Sequence, residues 1–338
     1  MSAQNANVKE DGNPVNAHAP ALWYVAPGVG EIRESALPPL APGMVEVETA
    51  YSLLSRGTER LVSEGRVPAS EHARMRAPFQ EGDFPFPVKY GYAAAGRVAA
   101  GPPELEGRMV FALAPHQARL RLPAAMVLAL PEALPPARAV LAANMETALN
   151  ATWDAAPPPG ARVLVVGLGL VGLLIAGLLA RRADLEVTGT DLAPERVALA
   201  DHVSARFVAP ADVAAGAFDL VFHTSASAAG LATGLTALRF EGTLVEVSWF
   251  GEEPVAVPLG GAFHSQRLTI RSSQVGHVAP SHRGRYSHRD RLALALDALC
   301  DPRWDALITE EVAFDALPAA LGRLLGPGAR GIATRIRY

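Results

Sequence analysis

The sequence predicts an α/β protein in two parts, a doubly wound parallel sheet joined to an irregular β-barrel-like domain. Three observations point there. Arg162-Val-Leu-Val-Val166 is an apolar run that leads directly into Gly167-Leu168-Gly169-Leu170-Val171-Gly172, as a strand buried on both faces and followed by a tight turn would do. From there to about Ser272, strand-like runs alternate with helical stretches, the pattern of a parallel sheet covered on both sides. Before Pro157 the texture differs: short β-like runs are separated by Pro and Gly, which suits antiparallel strands and turns.

The 338 residues exceed one ordinary core, so two domains are expected. Half the residues are hydrophobic and 19% are charged, a globular composition. A net charge of −4 gives no electrostatic reason to bind nucleic acid. Cys300 stands alone, excluding an intrachain disulfide and any cysteine-built zinc site and fitting a reducing compartment. The longest apolar stretch, Val163 to Ala180, is broken by four glycines, so no membrane span is expected. Residues 1–20 are polar, with Asn, Gly and Pro and no apolar segment. They read as a disordered tail without a secretory signal, and a cytoplasmic location is expected.

Taken in order, the first part offers Met44-Val-Glu-Val-Glu-Thr49, Gly96-Arg-Val-Ala99 and Arg108-Met-Val-Phe-Ala112 as strands. Ala, Met, Leu and Trp recur at helical spacing from Leu141 to Ala155, and Pro157-Pro158-Pro159-Gly160 ends that helix as a hinge-like junction. In the second part, an apolar helix to Ala183 follows the glycine loop. Leu185 to Asp191 is the next strand, and Pro194 to Ala200 a helix opened by proline. Further strands are expected at Phe218–Phe222, Gly242–Val247 and Leu268–Ser272. Arg289 to Tyr338 reads as two helical stretches and an extended end assigned back to the first domain. The expected organisation is therefore 21–150 with 290–338, and 151–289 between them.

The glycine spacing gains meaning from its place between a strand and a helix. Gly167 permits the turn, Gly169 admits a pyrophosphate close to the backbone, and Gly172 lets the helix pack on the strand. Leu170 and Val171 open the helix, whose free N–H groups and dipole favour phosphate. Asp191, nineteen residues beyond Gly172, ends the next strand, where a carboxylate accepts both adenosine ribose hydroxyls. It would repel a 2′-phosphate, so NAD is favoured over NADP. Arg196 is the one nearby cation able to turn toward a phosphate.

With both halves in view, the chain resembles the medium-chain dehydrogenase/reductase superfamily from about Leu22 to Tyr338. The likeness rests on Ser55-Arg-Gly-Thr-Glu59, Lys89-Tyr-Gly-Tyr-Ala-Ala-Ala-Gly96, Asn144-Met-Glu-Thr-Ala148 and the glycine loop. Ser55 to Glu59 looks closest to the branch containing bacteriochlorophyllide a dehydrogenase and related zinc-type alcohol dehydrogenase-like proteins. The resemblance implies a Rossmann domain, a GroES-like barrel domain, a cleft between them that takes a small molecule, and a homodimer paired through the edge strand Leu268–Ser272.

The departures from the family pattern decide the expected chemistry. Zinc-dependent members carry a cysteine near Ser55 or Arg56, a histidine where this chain has Tyr92, and a third ligand near Ala143 or Asn144. None of these positions offers a thiolate or imidazole here, and zinc needs such ligands. The expectation is hydride transfer between NAD(H) and a secondary alcohol or ketone without zinc, with Tyr92, Thr58 and Ser55 as hydroxyl groups at the reacting oxygen. Glu146 is a candidate base if burial raises its pKa, and Arg56 a candidate pyrophosphate contact. Two alternatives stand beside this: reduction of a conjugated double bond, and a catalytically silent NAD-binding protein. Trp249 and Phe250 follow a strand end where ligands bind and would suit a flat substrate. Phe79 to Tyr90 is expected on the opposite wall. The basic run His282 to Arg291 reads as a solvated loop, with an anionic substrate or ordering on a partner subunit as the alternatives.

Overall fold

The computed structural model describes residues 17–338. Most of the expected tail, 1–16, lies outside the described residues, but its last part is ordered structure. His18–Ala26 is a strand paired antiparallel with Val29–Ala36, and Ala19, Ala21, Leu22 and Tyr24 on it are buried. Hairpin pairing and burial, invisible in the composition of the first twenty residues, set that boundary.

The Rossmann strand Arg162–Val166 lies inside a six-stranded parallel sheet. Its spatial order is Arg206–Phe207, Glu186–Thr190, Arg162–Val166, Phe218–His223, Leu238–Glu246 and Thr269–Ser272. The chain builds outward on one side of the first strand, then crosses and builds outward on the other. That reversal leaves a crevice at the carboxyl end of Arg162–Val166, where such sheets hold ligands. The helices Leu170–Leu179, Arg196–His202 and Ala228–Ala237 connect the strands. The first ends four residues earlier than the apolar run suggests, and Leu238–Glu246 begins four residues before Gly242.

The barrel-like domain is organised by the long strand Met44–Leu54, which pairs with Ala94–Ala100, Arg119–Pro123 and Ala333–Arg337. Its alternation buries Val45 and Val47 while Glu46 and Glu48 face outward, as a strand with one covered face requires. A second, four-stranded sheet contains His18–Ala26.

The C-terminal segment 290–338 divides between the two parts rather than returning wholly to the barrel. His288–Ala298 packs against the junction helix Ala142–Ala155. Trp304 is fully buried under Leu170–Leu179, where a Cβ on Gly177 would lie 2.6 Å from its ring. Only from Ile308 does the chain enter the barrel sheet, through Ile308–Ala313 and Ala333–Arg337. One buried cluster contains Leu53 and Phe111 of the barrel, Met145 and Ala148 of the junction helix, and Val163 and Phe222 of the parallel sheet. Among the described residues no helix is long and apolar enough to cross a membrane.

Candidate active site

A cleft of about 670 Å³ opens between the two domains, over the carboxyl ends of the parallel strands. Gly169, Leu170, Val171 and Gly172 form part of one wall. Gly167 has φ +98°, which an L side chain rarely adopts. A Cβ on Gly172 would fall 2.0 Å from the Gly167 carbonyl oxygen, whereas one on Gly169 would meet nothing within 4 Å. The three glycines thus serve a turn, an open approach and a close packing. No side chain caps the helix that begins at Leu170, so its first N–H groups remain free for an anion.

Asp191 sits behind this loop rather than on the cleft wall. Its Oδ2 accepts from the Leu168 N–H at 2.6 Å and its Oδ1 from the Ala193 N–H at 2.8 Å. The carboxylate therefore shapes the glycine loop and retains a second lone-pair site on each oxygen. Arg196 and Arg56 do line the cleft. Each donates to the chain segment that crosses it: Arg196 to the Arg330 carbonyl at 2.7 Å, Arg56 to the carbonyls of Ala329 at 2.9 Å and Gly331. Burial lowers the Arg56 pKa, with Arg196 and Arg60 adding to the effect.

On the barrel side, Ser55, Thr58, Tyr92 and Asn144 face the cleft. The Tyr92 hydroxyl donates to Ser55 Oγ at 2.5 Å, and Asn144 Nδ2 donates to the same oxygen at 3.3 Å. Burial pushes the Tyr92 phenol up to about 12, against hydrogen bonds with Ser55 and Thr58 that pull the other way. At neutral pH Tyr92 is thus a donor and not a base. Asn144 Oδ1 is buried without a partner, an exception that a ligand donor in the cleft would resolve. Sequence reasoning saw Asn144 only as a vacated ligand position.

Behind this cluster lies a buried network. Glu59 is fully buried and accepts from the Ser55 N–H at 2.7 Å, the Tyr24 hydroxyl at 2.8 Å and His116 Nε2 at 3.0 Å. His116 Nδ1 then pairs with Ser52 Oγ at 2.8 Å. His116 is therefore a core residue outside the cleft.

Glu146 is not placed for catalysis. It points away from the cleft into an ion pair with Arg291, Oε1 to Nε 3.0 Å, with both side chains buried. Burial raises its carboxyl pKa, while Arg291 opposes that shift. The run from His282 to Arg291 is, as expected, largely exposed, Arg283, Arg285 and Arg289 included, and only Arg291 at its end is buried. Arg291 reaches Asn150, Val275 and His277, and Arg289 donates to the carbonyls of Ala125 and Val127. His282 stacks on Trp153 with centroids 4.2 Å apart. None of the residues of this run lines the cleft. Trp249 and Phe250 do line it, whereas Phe79 to Tyr90 contributes nothing to its walls.

Zinc does not fit the donor set at the hydroxyl cluster. Ser55, Tyr92 and Asn144 present two hydroxyls and an amide where zinc takes thiolate, imidazole or carboxylate. Among the described residues no group of three or more His, Cys, Asp or Glu side chains is arranged to hold a metal ion.

No protein-family profile and no curated protein sequence matches the chain. Solved structures do. A protein described as a zinc-binding dehydrogenase from Sinorhizobium meliloti 1021, bound to NADP, aligns over 95% of this chain and 100% of its own. Its TM-score is 0.75 and its identity 16%. The 2R,3R-butanediol dehydrogenase of Bacillus subtilis aligns over 95% and 99%, with TM-score 0.74 and identity 17%. A short chain alcohol dehydrogenase from Escherichia coli CFT073, complexed with NADH, covers the same shares with TM-score 0.73 and identity 18%. These likenesses establish the fold: a Rossmann domain joined to a GroES-like barrel domain.

Proposed function

We infer that the protein is an oxidoreductase that moves a hydride between NAD(H) and a secondary alcohol or its ketone, without zinc, in the interdomain cleft. The observation that carries this reading is the facing of the glycine loop and the Ser55–Tyr92–Asn144 cluster across one cleft. The solved dehydrogenases that hold NADP or NADH on the same fold support it.

The uncapped helix at Leu170 and the open approach over Gly169 suit the pyrophosphate. Asp191 behind the loop would oppose a 2′-phosphate and favours NAD over NADP. Bound there, the nicotinamide would supply the hydride acceptor or donor. The chain's own part is to meet charge on the substrate oxygen. Tyr92 is the leading donor because its proton is held to about 12 and can turn from Ser55 Oγ to the substrate oxygen, with Thr58 and Ser55 beside it. The aromatic pair Trp249 and Phe250 suits a flat, largely apolar substrate.

A homodimer belongs to this reading. Thr269–Ser272 is the last strand of the parallel sheet and is exposed along its length; such an edge invites pairing. The test of the function is a cofactor-consumption screen of the purified protein with NADH and NADPH over ketones, secondary alcohols, enones and quinones. Turnover of a ketone–alcohol pair after chelation supports the reading. Turnover confined to enones or quinones, or dependent on added zinc, refutes it.

A further inference from the structure

A second chain of polar groups faces the cleft from the opposite wall. His223 ends the apolar strand Phe218–His223 and is completely buried. Its Nδ1 lies 2.6 Å from Glu246 Oε2, at the end of the neighbouring strand, and its Nε2 lies 2.7 Å from Ser225 Oγ. Ser225 lines the cleft.

The carboxylate can only accept, so Glu246 fixes the tautomer: Nδ1 carries hydrogen and Nε2 is bare. Ser225 therefore donates its hydroxyl proton to His223. The Ser227 hydroxyl, 2.9 Å from Ser225 Oγ, donates in turn, and one lone pair of Ser225 is left for the cleft. Glu246 is itself held, because its Oε1 accepts the Ser248 N–H at 2.8 Å. Phe250 lies near the His223 ring, with centroids 6.1 Å apart. Gly230 leaves the space: a Cβ there would come 2.3 Å from Ser225 Oγ and 3.0 Å from His223 Nε2.

We propose that Ser225, His223 and Glu246 form the proton-accepting relay of this site, taking the hydroxyl proton of an alcohol substrate. This rests on the oxidoreductase reading above. The barrel side supplies donors but no base in reach of substrate, since Tyr92 holds its proton and Glu59 is buried and fully engaged. In alcohol oxidation the C–H electron pair leaves as hydride to the nicotinamide and the O–H bond breaks. That proton passes to Ser225 Oγ as the serine's own proton moves to His223 Nε2. The Glu246 carboxylate stabilises the resulting imidazolium, which afterwards returns a proton through Ser225 to water. Ser225 is the catalytic residue; His223 and Glu246 act through it and position it.

A hydroxyl held this way is activated even without substrate, which gives a test independent of turnover. The full chain is treated with diisopropyl fluorophosphate, adducts are mapped by mass spectrometry, and NADH binding is followed in parallel by its fluorescence. The expected result is one adduct on Ser225, absent in Ser225→Ala and formed ~10²-fold more slowly in Glu246→Gln and His223→Gln, as loss of a general base implies. Glu246→Gln keeps the shape at a partly exposed position and so covers the case in which His223→Gln fails to fold. No adduct on Ser225 in the unmodified protein, or labelling of Glu246→Gln within about twofold of it, overturns the relay. Failure to bind NADH refutes the oxidoreductase reading and leaves the labelling result standing on its own.

Discussion

Replacing Glu146 by alanine should cost stability and not chemistry. Arg291 is 1% exposed and gives its guanidinium to Glu146, Asn150 and the carbonyls of Val275 and His277. Removing Glu146 leaves a buried cation without its ion-pair partner, while the neutral acceptors remain. Breaking such a pair from one side costs about 3–5 kcal/mol, mostly through the uncompensated charge. At about 2 °C per kcal/mol for a long chain, the thermal midpoint should fall by about 6–10 °C. Glu146→Gln keeps the volume and one acceptor oxygen but removes the same countercharge, so its cost should approach that of the alanine variant, about 3 kcal/mol. Urea unfolding of the three proteins, with turnover measured at a temperature where all are folded, makes the comparison. A loss below about 1 kcal/mol for the alanine variant would refute the burial argument. A fall of about a hundredfold in turnover of the folded glutamine variant would return Glu146 to the chemical step.

Other expectations follow from the site. Tyr92→Phe keeps the ring and removes the donor, so turnover should drop ~10²–10³-fold with NADH binding unchanged; steady-state kinetics beside fluorescence titration decide it, and turnover within about twofold refutes it. Because the folded pKa of Tyr92 is raised, its contribution to stability is fully present below the unfolded value of 10.0 and is lost as pH rises through about 12. Unfolding of Tyr92→Phe should lack that part of the alkaline decline. Asp191→Ser should weaken the preference for NADH over NADPH by more than about tenfold, read from the two dissociation constants. Gly172→Ala drives a methyl into the Gly167 carbonyl and should abolish NADH binding measured by fluorescence, with thermal unfolding checked alongside.

Much of the parallel sheet was legible because local and tertiary demands coincide there. Arg162–Val166 is buried on both faces, so its apolar run needs no partner to be recognised. The glycine positions were legible for a related reason, since each answers a constraint of the loop itself. Glu146 was misread because its partner lies 145 residues away, and a helix carboxylate beside a cleft motif carries no local sign of which face it takes. Ser225, His223 and Glu246 are scattered over two strand ends, and only the parallel register that sets His223 beside Glu246 brings them together. A histidine closing an apolar strand at its carboxyl end was the available signal. The divided C-terminal segment escaped notice because Trp304 and Leu296 look like core residues of any domain.

The buried cluster that runs from Phe111 through Met145 to Phe222 ties the fate of the two halves together. Cutting the chain at Pro157 would bare the apolar face of Ala142–Ala155 on one fragment and the surface it covers on the other. Neither fragment is then a portable module, and grafting the nucleotide half onto another barrel would require rebuilding that seam residue by residue. Heat should melt the molecule in one cooperative step, its two lobes failing together although they are distinct in shape.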